Sequence, residues 1–287
     1  MPAGCQEKSV TCPHQGGFHE MVYSDWGDPT GDRTILCVHG LTRSGRDFDR
    51  LAEVLAEKGC RVLAPDIAGR GRSGYLGPGV TYEIPQYIAD LSCLLAMEGI
   101  DKVDWIGTSM GGLIAMAWTS QPAHPVRRML LNDVGPFVPK SALQRIGEYV
   151  GIQWRFESFE KGIEHIKKAY EPFGLKTEED WRYLAELSLA KRDDGTWTNA
   201  YDLRISEPFK GNDIEDVVLW ELWDQISVPT TVFRGAESDL LSADTAYRMT
   251  VSGPQATLVE IEGCGHAPTI MVPDQIDAAV DWALRED

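Results

Sequence analysis

Three side chains of this chain are of the types that acyl transfer requires, and they occur in a usable order. Ser109 stands in Gly107-Thr108-Ser109-Met110-Gly111, Asp239 in Gly235-Ala236-Glu237-Ser238-Asp239, and His266 in Gly263-Cys264-Gly265-His266. A serine hydroxyl attacks only when a base takes its proton, and the base needs an acid group to hold it in the right tautomer. The apolar run Val103–Ile106 enters Gly107, and the breaker-free run Leu113–Thr119 leaves it. That context predicts a strand–turn–helix elbow that lifts the serine Oγ above a sheet edge. Glycines at 107 and 111 let strand and helix pack closely, and Ser109 is expected at positive φ, a strain tolerated at a working site.

Asp239 is the preferred acid because it follows an apolar strand, Thr230–Phe233. Asp133 and Glu237 are the alternatives, Asp133 having the more ordinary role of turning the chain after Met129-Leu130-Leu131-Asn132. An oxyanion hole needs two backbone N–H groups. Met110, at the start of the elbow helix, should give one, and Leu41, after the strand ending in His39-Gly40, the other. His39 is read as a structural residue that pins this loop. Arg43 and Arg46 follow on the same loop, where either can pair with a substrate carboxylate or simply be solvated. Trp154, in an aromatic-rich block, is a candidate pocket wall.

The elements needed to hold these residues alternate. Strands are expected at Phe18–Trp26, Thr34–Val38, Arg61–Pro65, Val103–Gly107, Met129–Asp133, Pro229–Phe233 and Ala256–Ile261, with helices between most of them. This rhythm is that of an α/β, doubly wound, mostly parallel sheet. Gly135 to Gln225 breaks it: the period is helical, no strand is evident, and large aromatics abound. It reads as an insertion over the sheet. Residues 1–134 and 226–287 are expected to form the core domain, and 135–225 the inserted helical part.

Gly69, Gly71 and Gly74 form a literal Gly-x-Gly-x-x-Gly after a strand. A dinucleotide site needs a helix N-terminus next, and Tyr75-Leu76-Gly77-Pro78-Gly79 cannot open one. The stretch is read instead as a flexible loop at the site's rim.

With 27 Lys and Arg against 44 Asp and Glu, the formal charge of −17 argues against nucleic acid or anionic membranes as partners. The first 20 residues have no apolar signal-peptide core, and no apolar run approaches a bilayer span. The six cysteines (Cys5, Cys12, Cys37, Cys60, Cys93, Cys264) show no Cys-x-x-Cys or zinc-finger spacing. A cytoplasmic protein with free thiols, no metal and a small-molecule substrate is expected. Oligomeric state is unreadable.

From about Phe18 to Leu284 the chain resembles the α/β-hydrolase superfamily. The resemblance rests on His39-Gly40, the Asp66…Gly69…Gly71…Ser73 loop, Gly107-Thr108-Ser109-Met110-Gly111-Gly112, and Gly265-His266 after Asp239. It implies a helical cap between the sixth and seventh strands of that fold, and Ser109, Asp239 and His266 as a triad needing no cofactor. Serine at the elbow argues against dehalogenase and epoxide hydrolase chemistry, whose members carry aspartate there. The resemblance is to esterases, enol-lactonases and C–C hydrolases of aromatic ring cleavage. The expected function is hydrolysis of a small, largely apolar ester or lactone through an acyl-enzyme. C–C hydrolysis of ring-cleavage products is the alternative, and a non-catalytic small-molecule binding protein the third.

Overall fold

The computed structural model describes residues 4–210 and 214–285. The chain begins with a hairpin, β1 (Cys5–His14) and β2 (Gly17–Trp26). Then come β3 (Thr34–Val38), α1 (Asp49–Glu57), β4 (Arg61–Pro65), α2 (Ile84–Met97), β5 (Val103–Thr108), α3 (Met110–Thr119) and β6 (Val126–Asn132). An inserted segment follows, containing β7 (Phe137–Val138), α4 (Lys140–Gly147), α5 (Phe159–Ala169), α6 (Glu178–Ser188), β8 (Leu189–Lys191), β9 (Trp197–Asn199), β10 (Val217–Val218) and α7 (Trp220–Trp223). The chain closes with β11 (Thr230–Gly235), α8 (Ala243–Val251), β12 (Thr257–Ile261) and α9 (Pro273–Leu284).

Eight strands make one sheet in the order β1-β2-β4-β3-β5-β6-β11-β12. The hairpin joins it antiparallel through β2 and β4, and the remaining pairs are parallel. Parallel strands buried on both faces need continuous apolar runs, and Ile35 to Val38 and Val62 to Ala64 are fully buried. One face packs on α2 and α3 through Leu91, Leu94, Ile114 and Met116; the other packs on α1 and α9 through Leu51, Leu55, Ala279 and Ala283.

Two expectations need correction. Residues 5–14, where no strand was expected, form edge strand β1, paired along its whole length with β2. The insertion also contains strands, β7 with β10 and β8 with β9. These pairs are two or three residues long, too short for an alternation pattern to be visible in sequence. The insertion has an apolar core of its own around Ile166, Trp181 and Leu184. Among the described residues no helix is long and apolar enough to cross a membrane.

The elbow is where backbone approaches are tightest. A Cβ on Gly107 would stand 2.6 Å from the Gly111 backbone, and one on Gly111 only 2.0 Å from the Val38 carbonyl oxygen. Neither neighbour is a flexible side-chain end. Gly111→Ala is therefore expected to lower stability by about 1–3 kcal/mol or more, the scale of core overpacking; a urea melt with an unchanged midpoint would refute this close approach.

Candidate active site

Ser109 adopts φ 51° and ψ −111° between β5 and α3. Its N–H donates to the Asn132 carbonyl at 2.9 Å, and its carbonyl accepts from Gly112 and Leu113 N–H at 2.8 and 3.1 Å. These bonds hold the strained residue in place. Its Oγ lies 3.0 Å from His266 Nε2.

The other ring nitrogen decides the third member. His266 Nδ1 lies 2.7 Å from Oδ2 of Asp133, not of Asp239. Asp133 is fully buried. Its Oδ1 accepts from Gly235 N–H at 2.8 Å and its Oδ2 also accepts from Ser238 Oγ at 2.6 Å. A carboxylate can only accept, so Nδ1 carries the proton and Nε2 is free to accept from Ser109. Asp239 instead forms a bidentate pair with Arg145 at 2.6 and 2.9 Å, and its side chain is 52% exposed.

Sheet order explains the difference. β6 lies between β5 and β11, with Asn132 in register with Thr108, so the residue after β6 stands beside the nucleophile's strand. Asp239 comes four residues after β11 ends, past a turn closed by Ser238 N–H to Gly235 O at 2.9 Å. That turn carries Asp239 outward and leaves Ser238 facing Asp133. Both aspartates satisfy the chain order of nucleophile, acid and base, so order alone could not separate them. Ser238 and the Gly235 amide have no sequence signature as partners of a carboxylate.

Leu41 and Met110 both border Ser109 in one cavity. As the first residue of α3, Met110 has no intrahelical acceptor for its N–H. The Leu41 carbonyl is held by Arg70 Nε at 2.9 Å, and Arg70 Nη2 lies 3.5 Å from Met110 Sδ. Arg70 is fully buried, donates also to Ala68 O and Tyr87 Oη, and has no carboxylate partner among the described residues. Sequence reading missed it because it sits inside the glycine loop taken for a flexible rim. That loop is instead fastened inward: Asp66 accepts from Gly45 N–H and from Arg72, and Ser73 Oγ donates to the Asp66 carbonyl.

His39 pins the Leu41 loop as expected. Nδ1 donates to Gly40 O at 2.7 Å, and Nε2 accepts from Ile67 N–H at 2.9 Å. Burial pulls its pKa from 6.5 down to about 4. A folded-state pKa below the unfolded one means the unfolded chain binds more protons between pH 6.5 and 4, so stability falls as pH drops through that window. The ring's contribution to this loss is about 3 kcal/mol. Melting curves from pH 7 to 4.5 should be less pH-dependent for His39→Gln than for wild type, and equal slopes would contradict it.

Of the three substrate-binding candidates, Arg43, Arg46 and Trp154, each is engaged elsewhere. Arg43 is fastened to Asp47 through Nε and Nη2 at 2.8 and 2.7 Å, and to Ser188 Oγ. It borders the pocket near Ser109, but all three of its guanidinium nitrogens are engaged. Arg46 is paired with Asp49. Trp154 is buried in the core of the insertion against His165 and Tyr201 and does not line the cavities at Ser109.

Two cavities meet at Ser109. The larger, about 350 Å³, is walled by apolar side chains including Leu113, Val138, Ile146, Ile205 and Val217. The smaller, about 70 Å³, is bordered by Thr42, Arg145, Tyr149 and Tyr170. Burial pushes the Tyr149 hydroxyl up to about 12, so it stays a neutral donor.

Residues 33–270 match the model of the alpha/beta hydrolase fold family, and the chain belongs to that family. It is 44% identical over 278 residues, 94% of each chain, to the 3-hydroxybutyrate-oligomer hydrolase of Cupriavidus necator. Lipase 1 of Psychrobacter immobilis is 24% identical over 264 residues, covering 89% of this chain and 78% of the lipase. An alpha/beta hydrolase from Novosphingobium aromaticivorans superposes with a TM-score of 0.85 at 34% identity, covering 99% of both chains. The protein is thus a hydrolase, and its relatives support ester hydrolysis as its broad class.

The aspartates give a direct test. Asp133→Asn should lower kcat about 10⁴-fold, as loss of the orienting carboxylate does in a serine triad. Asp239→Asn should leave kcat within a small factor. The opposite result in ester hydrolysis assays would return the role to Asp239.

Proposed function

We propose that this protein is a serine carboxylic-ester hydrolase that cleaves short, ester-linked oligomers of 3-hydroxy acids. The observation that carries the mechanism is the unbroken line Ser109 Oγ–His266 Nε2–His266 Nδ1–Asp133 Oδ2, with steps of 3.0 and 2.7 Å. His266 takes the Ser109 proton as Oγ attacks the ester carbonyl. Leu41 and Met110 N–H groups receive the developing oxyanion. The imidazolium, held by Asp133, returns the proton to the departing alkoxide, leaving an acyl-serine. A water activated by His266 then releases the acid and restores Ser109.

The substrate class draws support from the 44%-identical 3-hydroxybutyrate-oligomer hydrolase and from the two unlike cavities. A methyl-branched polyester segment suits the apolar cavity. Its free carboxylate end suits the small cavity, where the Tyr149 hydroxyl and Arg145 Nη1, the guanidinium nitrogen that Asp239 leaves unengaged, are the donors. Arg145 takes the role expected of Arg43 or Arg46. Lactones of similar size are opened by the same steps.

The test compares a carboxylate-terminated 3-hydroxybutyrate trimer with neutral p-nitrophenyl butyrate. Ser109→Ala should abolish turnover of both while melting near the wild-type temperature; retained turnover would overturn the serine mechanism. Arg145→Ala should raise KM for the trimer about tenfold, a loss of about 1.4 kcal/mol, with little effect on the neutral ester. Equal effects on both would remove the carboxylate reading, and a wild type inert toward the trimer would remove the substrate class.

A further inference from the structure

The N-terminal hairpin and α2 bring together four donors that the hydrolytic site does not use. Cys12 and His19 are directly opposite each other in the β1–β2 ladder. Asp90 faces them from α2, and Cys93, three residues further, lies on the same side of that helix. Ligand atoms of Cys12, His19 and Asp90 all lie within 4.8 Å of one another. Cys93 lies outside that group, partly buried and packed on the apolar cluster that contains Cys12.

The polar atoms of this cluster are poorly satisfied by the protein itself. Cys12 and Asp90 are fully buried and His19 is 5% exposed. Neither ring nitrogen of His19 has a hydrogen-bond partner among the described residues, and nor does Asp90 Oδ2. His19 Nε2 and Asp90 Oδ2 approach to 3.1 Å without hydrogen-bond alignment. Buried polar atoms left in this condition are uncommon in folded proteins, and an unseen ion is one recognised cause. The other carboxylate oxygen, Oδ1, is oriented by Gln86 Nε2 at 2.7 Å, and that amide also donates to Pro13 O at 2.9 Å. Such outer support is usual for ligating carboxylates.

We propose that Cys12, His19, Asp90 and Cys93 form a structural zinc site that clasps the hairpin to α2. Two thiolates, an imidazole and a carboxylate are a donor set for tetrahedral Zn²⁺. Sequence spacing does not reveal the site, because its two pairs come from a cross-strand register and a helix turn that are far apart in the chain. Zinc displaces the thiol protons as it binds. The clasp bears on the hydrolytic cavity, whose wall includes Ile84 and Tyr87 from the same helix.

The test uses the full chain, reduced and stripped of metal, titrated with Co²⁺ and then Zn²⁺. One equivalent of Co²⁺ should give an intense near-ultraviolet thiolate-to-cobalt band, which Zn²⁺ abolishes, and Zn²⁺ should raise the melting temperature. Gln86→Ala should weaken Co²⁺ binding about 10–100-fold. Cys93→Ser, at a half-buried position that tolerates the change, should reduce the band, and Cys12→Ser/Cys93→Ser should eliminate it. A folded, reduced wild type with no band would overturn the proposal, as would a band undiminished in the double variant.

Discussion

The site depends on one backbone reversal. At Ser109 the chain leaves β5 and enters α3 through φ 51°, and the first turn of α3 then lies on β3 so closely that Gly111 has room for no side chain against the Val38 carbonyl. This contact presents Oγ outward and the Met110 N–H beside it. Because β3 itself runs on into His39-Gly40-Leu41, the packing that forces the turn also places Leu41 beside Ser109.

The polar groups beneath the elbow are arranged to stay fixed while charge moves. Asp133, fully buried, accepts from Gly235, Ser238 and His266. Three donors stabilise a carboxylate that water cannot reach, and they fix the imidazole tautomer. Arg70 plays the complementary part on the far side. Its guanidinium has carbonyls, a phenol and a thioether as neighbours, and no carboxylate among the described residues, next to Leu41 and Met110. A protein of net charge −17 thereby keeps a buried cation close to Ser109.

Substrate selection is separated from this machinery. About half of the walls of both cavities comes from the segment between β6 and β11, which has its own apolar core. The difference between the two cavities follows from which insertion residues face Ser109, and Trp154 is excluded because it fills the insertion's interior. Arg43 is likewise consumed locally by Asp47, four residues along.

What the sequence by itself determined was the fold and two of the three side chains that meet in the Ser109–His266–Asp133 line. Apolar runs for strands buried on both faces, helical periods between them and a glycine-flanked serine are local patterns, and Ser109 and His266 each sit at a strand's end where little else could be meant. Leu41 and Met110 border the cavity at Ser109. The third carboxylate was beyond reach, because Asp133 and Asp239 both follow strands and both precede His266. Only the order of strands in the sheet, β5 beside β6 beside β11, makes Asp133 the neighbour and turns Asp239 toward Arg145 and solvent. The same holds for Arg70, for the short strands of the insertion and for the Cys12–His19–Asp90 cluster. Each is defined by a contact between segments distant along the chain, and such contacts exist only once the sheet has assembled.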